Sequence, residues 1–519
     1  MAIKDKIKEK EFLILILCVL VASVLRFYTF DRKSFWLDEI YTIEDSKDDL
    51  KGQLRFYKDN PTYLQAPLFF VITHQLYPFT KPERDLRIIP LVFGTLSIPM
   101  IYLLAQQFSA SIALPCSLSL AFMTYHISLS QDGRSYSLLM FLGMAGLYFF
   151  IKYLRTSKKR YLLLIVLFFS ALFYTSYSSI PFIALSQILW FYRPSEEAKR
   201  PALFSFLILN GIILALCLPW ILFVAINYNG QTVTDPLHLE SSGSFGYMAY
   251  GILHDWVPHA PLIIASVLLL ILFPILSKSR RNAFVLLAAI LFPILGVYLF
   301  CKLADFSHFV TSRYFINSMP LFFIVLFLSL DVLEKKVQTI RRIFRIKFLF
   351  IILLVASNLV ILPIYYRSEK QDFRGVVNYL TAHIRAGDKI IVSPKLYVRG
   401  LLYYFGIAPS KSRDYLLSQR QVSEDETEYS ISLFFKGNKF TISHSKSYWN
   451  RYIANGERVW FVVDNRTAKE IKKVYPFAVK GYFDGSVLNL ARFPTDVSMY
   501  LLLLDPKSPG EKGINMPID

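Results

Sequence analysis

Charge is scarce in this chain, and cysteine scarcer. Of 519 residues only 18% are charged, against 54% apolar and 16% aromatic, and several runs pass 17 or more residues without a charged side chain. A soluble protein of this size cannot bury that much apolar surface, so a polytopic α-helical membrane protein is expected. The four cysteines, Cys18, Cys116, Cys217 and Cys301, all lie inside apolar runs. That placement excludes a disulfide framework and zinc-type spacing. No Gly-rich phosphate cradle follows a predicted strand, and no internal repeat or low-complexity tract is visible. The net charge of +19 does not indicate a nucleic-acid partner. Lys and Arg sit in short links between apolar runs, with no basic, aromatic-interleaved module.

The basic residues set the expected topology. The N-terminal tail, 152–160, 193–200, 278–281 and 335–347 hold 21 Lys and Arg, whereas the loop 228–258 holds none. By the positive-inside rule the tail is cytoplasmic and the first apolar run, Phe12 to Phe30, is a retained first helix that exits near Phe30. Residues 31–66 then form an outer loop with two short amphipathic stretches, Leu37 to Ser46 and Asp48 to Tyr57, the second capped by Asp48 or Asp49. Residues 66–80 are too short to span and read as a half-buried helix. Spans are expected at 87–108, 111–130, 132–154, 202–227, 259–277, 282–303, 314–334 and 347–366. The run 161–192 is about 48 Å long as one helix, so it crosses twice or dips and returns, breaking near Ser178–Pro181. That makes about eleven crossings.

From Arg367 the chain turns polar. A helix (Phe373–Ile384), a strand (Lys389–Val392), a helix (Val398–Phe405), a strand (Arg458–Val463), a helix (Thr467–Tyr475) and a hairpin (Val479–Phe493, turning at Asp484-Gly485) predict a C-terminal α/β extracytoplasmic domain. Two domains are expected: 1–366, transmembrane, with its catalytic loop at 31–66, and 367–519.

Four polar features fall on the outer edge of this topology: Asp38-Glu39 beside Trp36, Gln65-Ala66-Pro67, Gln131-Asp132-Gly133-Arg134-Ser135-Tyr136, and Ser312-Arg313-Tyr314. Ionisable groups at a membrane edge are costly and often functional. Arginines offer planar, bidentate donors to phosphate, and a carboxylate can take a proton from a hydroxyl nucleophile. Adjacent helical residues point about 100° apart, so one of Asp38 and Glu39 would act as base while the other orients the loop or ligates a metal.

In order along the chain, Trp36-x-Asp38-Glu39, Pro67-Leu68-Phe69-Phe70, Leu86-Arg87, Gln131-Asp132-x-Arg134-x-Tyr136 and Ser312-Arg313-Tyr314-Phe315 followed by Pro320 resemble the GT-C glycosyltransferases. Within that superfamily they resemble the bacterial relatives of protein O-mannosyltransferases and of the lipid A aminoarabinose transferase, over roughly residues 10–330. The resemblance implies a polyprenyl-phosphate-linked sugar donor, a lipid, glycan or protein acceptor, and transfer at the outer face of a bacterial cytoplasmic membrane. It implies Asp38 as base, Glu39 in support, and Asp132 holding acceptor or metal. Arg134 and Arg313 would grip the donor phosphate with Tyr136 and Tyr314, and Trp36, Gln65 and Pro67 would line the site. A divalent metal cation is the one cofactor left open. Gln65 is a poor ligand, and His238, His254, His259 and His308 read more readily as surface residues. The rival readings are a transporter or lipid flippase, against which the edge location of the ionisable groups argues, and a non-catalytic scaffold.

Overall fold

The computed structural model describes residues 2–59, 65–193, 202–227, 245–303, 312–336, 346–394, 396–406, 429–435, 438–444, 446–485, 498–508 and 513–515. The chain divides into two compact units: Met1–Phe30, Asp49–Tyr228 and Leu239–Ile364 form one, and Asp31–Asp48, Asn229–His238 and Tyr365–Asp519 form the other. The expected loop 31–66 is therefore shared. Its first part goes with the tail: the helix Leu37–Asp45, with Leu37, Ile40 and Ile43 buried, packs against the tail helix Tyr397–Tyr404.

The helices in chain order are α1 (Ala2–Phe27), α2 (Leu37–Asp45), α3 (Leu50–Asp59), α4 (Leu68–His74), α5 (Pro82–Gln106), α6 (Ala110–Phe122), α7 (Thr124–Ser130), α8 (Tyr136–Thr156), α9 (Arg160–Phe173), α10 (Ile180–Leu185), α11 (Leu203–Asn227), α12 (Phe245–Trp256), α13 (Ala260–Leu276), α14 (Arg280–Leu303), α15 (Met319–Lys336) and α16 (Ile346–Arg367). Among the described residues five helices are long and apolar enough to cross a membrane, α5, α8, α11, most of α14 and α16. The bent pairs α6/α7 and α12/α13 raise this to seven. The chain is a multi-pass membrane protein. Several expected spans are built from shorter pieces. The run 161–192 breaks after Phe173 into α9, a 3-10 turn at Tyr177–Ser179, α10 and a second 3-10 stretch at Ser186–Phe191. The stretch 66–80 yields the seven-residue α4 after Pro67, about 10 Å of helix.

The expected span 111–130 is not straight: α6 and α7 meet at 63°. Met123, with φ −69° and ψ 111°, interrupts the helix. In lipid the freed backbone groups at such a break must find partners. Arg26 supplies them on one side. Its Nη1 donates to the carbonyls of Ala22 and Ala121, and its Nη2 donates to Leu120 O, each at 3.0 Å, and lies 2.7 Å from His126 Nδ1. A cation at a helix C-terminus is also favoured by the helix dipole. Asn358 of α16 closes the other side: its Oδ1 accepts from Thr124 N at 2.9 Å and its carbonyl accepts from Thr124 Oγ1 at 2.8 Å.

Close packing fixes α8 between α5 and α9. A Cβ at Gly146 would collide with the ring of Phe169, and one at Gly143 with Asn317 Oδ1, so small residues let these segments approach. Helix α8 begins at Tyr136 rather than 132, leaving 131–135 as a turn, and α15 begins at Met319, so Ser312–Phe315 is a separate 3-10 turn.

The tail unit carries a six-stranded sheet of order β2-β3-β1-β4-β6-β5, with β1 (Lys389–Ser393), β2 (Tyr429–Phe435), β3 (Asn438–His444), β4 (Val459–Val463), β5 (Ala478–Phe483) and β6 (Met499–Leu504). Strands β1, β3 and β4 are parallel; β2/β3, β4/β6 and β5/β6 are antiparallel. Strands β4 and β6 are buried at every position, as expected of central strands. Its helices are α17 (Phe373–His383), α18 (Tyr397–Tyr404), α19 (Lys446–Ala454) and α20 (Asn465–Lys472). Asp372 caps α17 by accepting from Gly375 N, and Asp464 caps α20 by accepting from Thr467 N. The first arm of the expected hairpin is β5, which pairs antiparallel with β6, and the expected second arm, 486–493, lies outside the described residues.

Replacing Arg26 with Met strips the broken helix of its cap and leaves two carbonyls facing apolar neighbours. The expected cost is about 2 kcal/mol or more, read as a lowered unfolding temperature in detergent, with Arg26→Lys recovering only part because one ammonium cannot reach every acceptor.

Candidate active site

Helix α2 starts at Leu37, and Trp36 is its N-cap, with an extended backbone at φ −88°, ψ 172°. Glu39 is the third helical residue, and its Oε2 accepts from Trp36 N at 3.4 Å. That reach-back is half of a capping box. It turns Glu39 onto its own helix start, where it is 1% exposed, while Asp38 keeps part of its surface open. The Asp38 carbonyl accepts from Thr42 Oγ1 at 2.9 Å. The Trp36 ring is covered: Lys370 Nζ lies 3.2 Å from its centroid, a cation–π contact.

The tail holds this segment along its whole length. Lys33 Nζ donates to Tyr365 O (2.6 Å), Ser34 N to Glu369 Oε2 (2.9 Å), Phe35 N to the Tyr404 hydroxyl (2.7 Å) and Leu37 N to Gln371 Oε1 (2.9 Å). At the far end Glu44 pairs with Arg399 of α18, and the Arg399 guanidinium stacks 4.0 Å from the Tyr41 ring centroid. Both members of the pair are nearly sealed from solvent, at 2% side-chain exposure each.

In the helical unit, the turn 131–135 is tied to the end of α1. Gln131 Nε2 donates to Arg26 O at 2.8 Å and Tyr28 O at 2.7 Å. Arg134 N donates to Asp132 O at 2.7 Å, tightening the turn. Asp132 is buried, and Tyr136 opens α8. The Arg313 guanidinium lies 5.7 Å from the Tyr136 ring and 5.9 Å from the Tyr314 ring. Two of the four polar features, far apart in sequence, thus meet. Gln65 is half-buried and Pro67 buried at the start of α4, whose Leu68 N donates to Tyr174 O at 2.9 Å. Arg87 Nη1 donates to Phe30 O at 2.8 Å.

Sequence reasoning missed several residues. Ser312, just before Arg313, bonds to the Tyr125 hydroxyl at 2.8 Å and donates to the Asp255 carboxylate, so one hydroxyl gathers α7, α12 and the 3-10 turn. Arg26 had a legible signal, a lone cation inside an apolar run. Among the described residues no group of three or more His, Cys, Asp or Glu side chains could hold a metal ion, and His238 and His308 lie outside those residues.

Together these features define a multi-pass membrane protein with a motif-bearing helical unit and an α/β tail that holds a carboxylate-bearing helix. Residues 62–234 match the family model described as Dolichyl-phosphate-mannose-protein mannosyltransferase. No curated protein matches the chain. The chain is similar to crystal structures of ArnT from Cupriavidus metallidurans. The apo form is 12% identical with a TM-score of 0.48, over 96% of this chain and 99% of that one. The form bound to undecaprenyl phosphate is 12% identical with a TM-score of 0.46, over 94% and 97%. It is also similar to the Archaeoglobus fulgidus oligosaccharyltransferase tethered with an acceptor peptide, at 12% identity and a TM-score of 0.47, over 78% of this chain and 63% of that one.

Glu369 gives the tail unit a pH signature. Burial first, and then the Asp372 carboxylate, raise its carboxyl above the ordinary range. The folded state therefore favours its protonated form more than the unfolded chain does. That contribution is present below the ordinary carboxylate value and is lost as pH rises through the raised one. Glu369→Gln, which keeps an acceptor for Ser34 N, should raise the unfolding temperature relative to the parent at about pH 7.5 and do so much less at about pH 4; thermal unfolding in detergent at both values checks this.

Proposed function

We propose that this chain is a GT-C-type membrane glycosyltransferase that moves a sugar from a polyprenyl-phosphate donor to an acceptor hydroxyl. The observation that carries the reading is the Arg313 guanidinium set against Tyr136, beside the Asp132–Arg134 turn. The match over 62–234 supports it, since that stretch contains this turn and the family description names a lipid-phosphate sugar donor. Asp38 takes the proton from the acceptor hydroxyl as its oxygen bonds to the anomeric carbon. The bond from that carbon to the phosphate oxygen breaks, its electron pair leaving on the lipid phosphate, with inversion at carbon. The phosphate charge goes from −1 to −2, and Arg134 and Arg313 meet the added charge with charge-assisted hydrogen bonds. Tyr136 and Tyr314 flank the guanidinium, and Asp132 orients the acceptor. Glu39 keeps the helix start of Asp38 in place, and Trp36, Gln65 and Pro67 line the substrate.

The domain pair 1–366 and 367–519 belongs to this proposal. So does an orientation in a bacterial cytoplasmic membrane with the N-terminus cytoplasmic and the tail outside; the acceptor is a lipid, a glycan or a protein.

The test is release of undecaprenyl phosphate by the purified protein from undecaprenyl-phosphate mannose, together with mass spectrometry of glycolipids and glycans from a strain lacking the gene. A sugar lost in the deletion strain and restored by the wild-type gene supports transfer. Unchanged glycans, with lipid transport lost instead, favour a flippase. Asp38→Asn should lower transfer by about 100-fold or more with membrane levels unchanged, and full restoration of the sugar by that variant would remove Asp38 as base. Arg313→Ala should raise the donor KM by about tenfold or more, and unchanged donor kinetics would separate it from the phosphate.

A further inference from the structure

The acid pair lies in the next helix after α1, yet that helix, α2, folds as part of the tail unit. The contacts are of a kind that sets position. Three backbone N–H groups at the entry to α2, those of Ser34, Phe35 and Leu37, each donate to a tail side chain, Glu369, Tyr404 and Gln371. These fix the path into the helix and the placement of its first turn. At the other end the Glu44–Arg399 pair, stacked on Tyr41, fixes its last turn. Residues 44 and 41 are one turn apart and share a face, so a single guanidinium grips both. A helix held at both ends has its axis and its rotation about that axis set, and rotation decides where the Asp38 side chain points.

We propose that Arg399 is a positioning residue for Asp38: the tail is the clamp that aims the acid pair, rather than an accessory module. This rests on the reading of Asp38 as the base. Buried ion pairs are weak contributors to net stability, but breaking one by removing a single partner leaves an uncompensated charge, whereas replacing both by apolar side chains of similar size is often tolerated. That asymmetry separates a clamp from a group that acts on substrate.

The experiment compares Arg399→Met, Arg399→Lys, the double variant Glu44→Met/Arg399→Met and Tyr404→Phe in the full chain. Two readouts are used: restoration of the missing sugar in the deletion strain, and hydrogen exchange of the purified protein over 37–45. Arg399→Met should lower sugar transfer by about tenfold or more and speed exchange over 37–45, while exchange in β1 and β4 stays at the parent rate. Arg399→Lys should keep more transfer than Met. The double variant should return to within about threefold of the parent in transfer and regain protection over 37–45. Tyr404→Phe, which removes one hydroxyl acceptor and no charge, should show the same exchange change in weaker form, and it decides the outcome if Arg399→Met does not accumulate. Full transfer by Arg399→Met, or a double variant no better than the single, overturns the clamp. Exchange is independent of the reaction, so full activity of Asp38→Asn would remove the base while unchanged exchange in Arg399→Met and Tyr404→Phe would remove the clamp.

Discussion

The helical unit depends on how a broken membrane helix keeps its backbone satisfied. A bilayer core offers no water, so a helix that stops at Phe122 and restarts at Thr124 needs partners for groups that would otherwise be orphaned. Arg26 and Asn358 supply them from different helices. The consequence extends beyond stability. The Arg26 and Tyr28 carbonyls also receive the Gln131 side chain, so Arg26, which helps to make the bend tolerable, also holds the turn carrying Asp132 and Arg134. The distal side of that turn is set by α8, whose Tyr136 carries the Arg313 guanidinium. Arginine suits both places, because its planar fork can serve several acceptors and its face can lie on an aromatic ring, whereas lysine presents one compact charge.

Local features were the legible ones. The amphipathic pattern of Leu37 to Ser46 became α2, and Asp49 caps α3 by accepting from Gly52 N. Pro67 marks the start of α4, and β1 and β4 stand out because unbroken apolar runs of strand length suit a sheet interior. What the sequence hid was long-range. The β2/β3 hairpin went unread although Ser430, Ser432, Thr441 and Ser443 alternate with apolar residues in the period-2 pattern of a strand. The Asp484-Gly485 turn suggested an adjacent partner for β5, but the partner strand is the distant, wholly buried β6. Arg399 reads as an ordinary helix residue until the fold brings it to Glu44. The meeting of Arg313 with Tyr136 was foreshadowed by topology, because both fell on the same predicted edge, and by the resemblance that grouped them.

The two neighbouring carboxylates differ in surroundings because of their places in one helical turn. A helix start presents N–H groups without intrahelical partners, and a carboxylate in its first turn can turn back to one of them. Glu39 has the chain length and the third position that this reach requires, and its Oε2 faces Trp36 N. Asp38, one residue earlier and one methylene shorter, is turned about 100° around the helix axis and keeps surface open. Exchanging the two residues would leave the net charge of the turn unchanged, but it would put the short side chain where reach is needed and the long, more mobile one where direction matters. The order Asp-Glu therefore suits this turn: the longer side chain stands at the third position, from which it reaches back to Trp36 N, and the shorter one stands where surface stays open.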